Sequence, residues 1–164
     1  MKLIHSITVL AAASLCACQQ QETTPPPAKA SPTANSGIAA SGGRLVLPAV
    51  KGNPGAAYVL LDNRTGASVA IASVAIDQAA KAEMHQTAGG TMVPVERVEV
   101  APGTSAEFKP GGLHIMAFSL DPKLRAGGKA ELTIIFADGE KVKAPLTVEP
   151  PGGAMAGMDH GDMH

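Results

Sequence analysis

Three features of the sequence predict an all-β fold built as a two-sheet β-sandwich. Short apolar stretches rich in Val, Ala, Ile and Leu alternate with turn residues at a spacing of about ten residues. No segment keeps a 3.6-residue apolar period beyond two turns, so amphipathic helices are not expected. Aromatic residues are few (Tyr58, Phe108, Phe118 and Phe136), which leaves Val, Ile, Leu and Ala to fill the core.

Nine strands follow from this pattern in chain order: Arg44–Leu47, Ala57–Asp62, Ser68–Ile76, Ala82–Gln86, Thr91–Val100, Ser105–Phe108, His114–Leu120, Ala130–Phe136 and Val142–Val148. Turn chemistry separates them at Asn63-Arg64-Thr65-Gly66, Ala101-Pro102-Gly103, Lys109-Pro110-Gly111-Gly112, Ala126-Gly127-Gly128 and Ala137-Asp138-Gly139. Nine short strands in two sheets match a cupredoxin-like or immunoglobulin-like architecture. The expected folded unit is 38–150, long enough for one two-layer core within the 164 residues.

The flanks read differently. Residues 1–17 carry Lys2 and an apolar run from Leu3 to Leu15, too short for a bilayer span of ~20 residues and typical of a signal peptide. Leu15-Cys16-Ala17-Cys18 has the layout of a bacterial lipobox, so Cys18 is the expected lipidated residue of the mature chain. Gln19 in the next position points to an outer-membrane address for an exported, periplasmic protein. Residues 18–37 are rich in Gln, Thr, Pro, Ala and Ser and hold no apolar side chain larger than Ala, so they are expected to act as an extended tether. A second flexible piece is expected at 151–164.

Charge and cysteine content narrow the function classes. A net charge of −1 without a Lys/Arg cluster argues against nucleic acid. With Cys16 removed and Cys18 acylated, the mature domain has no thiol for a disulfide, a nucleophile or a thiolate metal ligand. Nothing in the pattern asks for a second chain, and a monomer is expected.

Sulfur and imidazole groups are unevenly placed. Apart from Met1 and His5, every Met and His lies between Met84 and His164. His114-Ile115-Met116 puts His and Met two residues apart on one strand, hence on one face, with Cα atoms ~7 Å apart. His85 shares a strand face with Glu83, and Met92 opens the next strand after Gly89-Gly90. A His85/Met92 hairpin opposite His114/Met116 would enclose one ion. Thioether and neutral imidazole donors favour Cu(I) over Zn, Mg or Ca, and four neutral donors suit a +1 ion. Two readings stay open on spacing alone: this metal site, or Met as core filler with surface His. Met84, pointing away from His85, is expected in the core.

The segments Ala56–Asn63, Ala82-Glu83-Met84-His85, Met92-Val93-Pro94-Val95 and, above all, Phe108–Met116 resemble the periplasmic copper chaperones called PCuAC. The resemblance spans roughly Arg44 to Val148. The family's copper motif is a His, a Met, twenty-one residues, then His-x-Met; Met92 and His114 enclose twenty-one residues here. It thus implies His85, Met92, His114 and Met116 as Cu(I) ligands. Six residues separate His85 from Met92, where the family pattern has about ten. The resemblance further implies a cupredoxin-like fold and a recipient cuproprotein such as the copper centre of cytochrome oxidase, often with a thioredoxin-like copper protein.

A separate Met/His cluster, Met155, Met158, His160, Met163 and His164, with Asp159 and Asp162 between, is expected to form a looser site able to take Cu(II). Rival functions find less support. A blue-copper carrier needs a Cys ligand, a superoxide dismutase needs more His than two in the folded region, and no G-x-S-x-G segment marks a serine hydrolase. A non-enzyme is therefore expected, with copper buffering or a purely structural lipoprotein as the alternatives to delivery.

Overall fold

The computed structural model describes residues 37–153, and among these the regular structure is entirely β. Ten strands form: β1 (Ile38–Val46), β2 (Gly55–Asn63), β3 (Val69–Ile76), β4 (Ala79–Ala88), β5 (Thr91–Pro94), β6 (Val98–Val100), β7 (Ser105–Phe108), β8 (Leu113–Leu120), β9 (Lys129–Phe136) and β10 (Lys141–Glu149).

The strands are hydrogen-bonded in the order β5-β4-β8-β2-β1-β10-β9-β3-β6, with β7 also paired to β2. β1 stands in the middle of that path and joins two layers. It runs antiparallel to β2 on one side, with a register shift between Ser41 and Arg44 that spans Gly42-Gly43. Its second half, Arg44–Val46, runs parallel to Thr147–Glu149 of β10. The sandwich is therefore closed by backbone hydrogen bonds through β1 as well as by side-chain packing.

Strict alternation on the central strands shows why the layers pack. In β10, Val142, Ala144, Leu146 and Val148 point inward while their neighbours stay exposed. In β9, Ala130, Leu132, Ile134 and Phe136 are buried, and in β2 Ala57, Val59 and Leu61 are. Burying each such aliphatic chain is worth about 1.5–3 kcal/mol, so a period of two fixes which face turns inward. Pro145 interrupts the donors of β10 where that strand pairs with β9 alone, so no bond to β1 is lost.

Two differences from the sequence reading have physical causes. The first strand starts at Ile38, because Ile38 and Ala40 are buried against β2 although Gly42 and Gly43 interrupt the pattern. The expected single strand Thr91–Val100 is two strands in different layers. β5 pairs with β4, β6 pairs with β3, and the chain crosses between them after Val95, whose N–H donates to Met84 O at 2.8 Å. The continuous β-prone run hides this crossing, since strand propensity does not encode which partner a residue takes.

The fully buried Asn63 ties the end of β2 to two turns. Its Nδ2 donates to Ala67 O (2.8 Å), Val100 O (2.9 Å) and Ala101 O (3.2 Å), and its Oδ1 accepts from Thr65 N (3.0 Å) and Thr65 Oγ1 (2.6 Å). Every polar atom of the side chain is satisfied, which a buried amide requires. Asn63→Ala removes five hydrogen bonds from a buried side chain and is expected to lower stability by roughly 2–4 kcal/mol. Urea unfolding monitored by circular dichroism checks this, with a lower midpoint at unchanged slope expected.

Candidate metal centre

The site is built on three adjacent strands, β5, β4 and β8. β4 and β8 pair antiparallel with His85 directly opposite His114, Met84 opposite Ile115 and Glu83 opposite Met116. Alternation then sorts the side chains. Ile115 (0% exposed) and Met84 (4%) enter the core, which places His85, His114, Glu83 and Met116 on the opposite face. Met84 therefore fills the core, as its place in the sequence predicts.

The β4–β5 hairpin closes over Gly89-Gly90, whose φ values are +58° and +83°. Two consecutive left-handed residues make the two-residue turn that suits a twisted hairpin, and glycine adopts them without a Cβ clash. Ala88 pairs with Thr91, Thr87 with Met92 and His85 with Pro94. Met92 is thus the diagonal neighbour of His85 on the same face, within reach of a long side chain. The structure places His85, Met92, His114 and Met116 on one sheet face, rather than between two facing elements, with His85 and His114 as direct cross-strand neighbours.

The two imidazoles lie with ring centroids 6.1 Å apart and planes inclined at 37°. Two ring nitrogens each ~2 Å from one shared ion put the centroids on the order of 6 Å apart. The observed centroid spacing is of that order. The four side chains differ in exposure: His114 is buried at 5%, His85 and Met116 are partly buried, and Met92 is 56% exposed.

Each imidazole has a polar neighbour of its own. His114 Nδ1 lies 2.8 Å from Gly112 O, and His85 Nε2 lies 3.5 Å from Glu83 Oε2. Glu83 also binds Lys81 Nζ at 2.6 Å. The Lys81 hydrogen bond, seconded by His85, holds the Glu83 carboxyl below the usual range. On the other flank β2 pairs Ala57 with Ile115 and Ala56 with Met116. Next along β2, Tyr58 holds its ring 5.1 Å from the guanidinium of Arg44, its register partner on β1. Burial pushes the Tyr58 phenol up, against the opposing pull of Arg44.

Among the described residues no three His, Cys, Asp or Glu side chains converge as a metal group. A donor set of four at this position needs the thioethers of Met92 and Met116, which selects for a soft ion. Glu83 and the Gly112 carbonyl are the groups whose roles sequence spacing leaves unassigned. Glu83 is signalled only by sharing the face of His85, and a backbone carbonyl leaves no trace in residue identity. Cys18, Met155, Met158, His160, Met163 and His164 lie outside the described residues.

The architecture has known counterparts. The copper-bound PCuAC domain from PmoF2 superposes with a TM-score of 0.63 at 20% identity, covering 73% of this chain and 98% of that one. The apo PCuAC domain from PmoF1 gives 0.62 at 18% identity, over 73% and 99%. The Cu(I) form of DR1885 from Deinococcus radiodurans gives 0.54 at 23%, over 68% and 76%. These likenesses establish a PCuAC-type β-sandwich fold, as the residue motifs suggest. At the level of sequence, residues 38–148 match the family model "Putative lipoprotein LpqE-like", and the chain belongs to that LpqE-like family. No curated protein matches the chain.

The contrast between the two methionines of the hairpin gives a direct check. Met84→Ala opens a cavity in the core and is expected to cost roughly 2–5 kcal/mol. Met92→Ala, at an exposed position, is expected to stay within about 0.5 kcal/mol of the parent. Thermal unfolding of both apo variants separates them.

Proposed function

We propose that this protein is an exported copper(I) chaperone that holds one ion between His85, His114, Met92 and Met116 and passes it to a recipient cuproprotein. The observation that carries the reading is the direct cross-strand pairing of His85 with His114, flanked on the same face by two methionines. Two neutral imidazoles and two neutral thioethers leave the charge of a +1 ion uncompensated, a lighter burden than a +2 ion would impose. Without a thiolate, the ion stays exchangeable. Met92, the most exposed of the four, is the natural point of exit toward an acceptor.

Support also comes from the relatives: the PmoF2 domain is a copper-bound PCuAC domain and DR1885 carries Cu(I). The family description supports an exported lipoprotein, in line with Cys18 as the lipidated residue and an outer-membrane anchor. In this reading 18–37 is the tether and 38–150 the copper-binding domain, which works as a monomer. The recipient is the copper centre of cytochrome oxidase, served directly or with a thioredoxin-like copper protein. The chain carries no catalytic role. Met155, Met158, His160, Met163 and His164 add a second, looser site that takes Cu(II) through His160, His164 and a carboxylate.

Anaerobic competition of residues 37–150 against a chromogenic Cu(I) chelator tests the core site. One Cu(I) per chain is expected, with affinity lost or weakened about 10- to 100-fold in His114→Ala and Met116→Ala. Binding indifferent to both changes sinks the proposal. The full chain is expected to take up further copper that the truncated one does not. Loss of oxidase activity at limiting copper in a deletion strain separates delivery from simple buffering.

A further inference from the structure

We infer that the Gly112 carbonyl is a tautomer lock for His114: it keeps the ring proton on Nδ1 and so assigns Nε2 as the metal-donating nitrogen. The inference takes its metal from the copper reading above but rests on separate geometry. A carbonyl oxygen can only accept, so the 2.8 Å contact to His114 Nδ1 is a hydrogen bond only when Nδ1 carries the proton. In the neutral ring, Nε2 is then left with the lone pair. His114 is 5% exposed, so water has little access to offer Nδ1 another partner.

The carbonyl itself is fixed from several directions. Gly111 has φ +73°, a conformation that side chains disfavour, and it closes the turn that aims the Gly112 peptide. Across that turn Lys109 N donates to Leu113 O at 2.6 Å and Gly112 N donates to Lys109 O at 3.2 Å. The N–H of Thr87, on β4, donates to the same Gly112 oxygen at 3.1 Å. One oxygen therefore joins the β4 backbone to the His114 ring, and the lock forms whenever β4 and β8 are paired. His85 differs: its Nε2 meets a side-chain carboxylate at a longer 3.5 Å, and its side chain is 17% exposed. His114 is accordingly the preset anchor of the site and His85 the adjustable ligand.

Nitrogen NMR of the 15N-histidine-labelled apo protein tests this without any metal. The expected result is a protonated Nδ1 and a bare Nε2 at His114, with Nε2 alone shifting when Cu(I) is added. A proton on Nε2 in the apo protein, or a Cu(I)-induced shift at Nδ1, overturns the lock. Gly111→Val, which strains the turn, is expected to mix the two tautomers and weaken Cu(I) binding about tenfold. An unmixed tautomer in a folded Gly111→Val protein overturns the part given to the turn. If the apo tautomer is as stated but Cu(I) does not bind, the chaperone reading fails and the lock stands.

Discussion

The backbone pairing of β4 with β8 is the constraint on which the site depends. Seven residue pairs run from Ala79 with Leu120 to Gln86 with Leu113, and one of them sets His85 against His114. Because side chains alternate, a slip of one residue would turn Met84 outward and send a histidine into the core. The core resists that slip: Met84 and Ile115 are each almost completely buried, and a buried imidazole there would lack a partner. Apolar burial on one face of the ladder thus holds the donor groups in place on the other.

The same logic explains how the hairpin keeps Met92 on the face of His85. Six residues lie between them. Thr87 faces Met92, and Met92 shares the face of His85. An odd number of intervening residues would have moved Met92 to the other face. The tight turn at Gly89-Gly90 makes this short connection compatible with strand twist.

The two layers contribute unequally. β10, β9 and β3 supply half of the buried Ile, Leu and Val residues, whereas β4, β5 and β8 present the imidazoles and thioethers. β1 joins them through its antiparallel and parallel pairings, and Asn63 fixes the turns at one end.

Much of this was legible in the residues. Alternation and turn chemistry located the strands, and the spacing of His114, Ile115 and Met116 placed two donors on one face, because both signals are local and periodic. What the sequence could not determine was pairing: that Thr91–Val100 divides between two layers, that β1 reaches back to Ile38, and that His85 stands opposite His114 instead of across a gap. Those depend on which strands meet, a long-range outcome of burying one face against another. The Gly112 carbonyl shows the limit most clearly. Every residue has such a group, and only the tertiary structure decided that this one would hold a histidine proton.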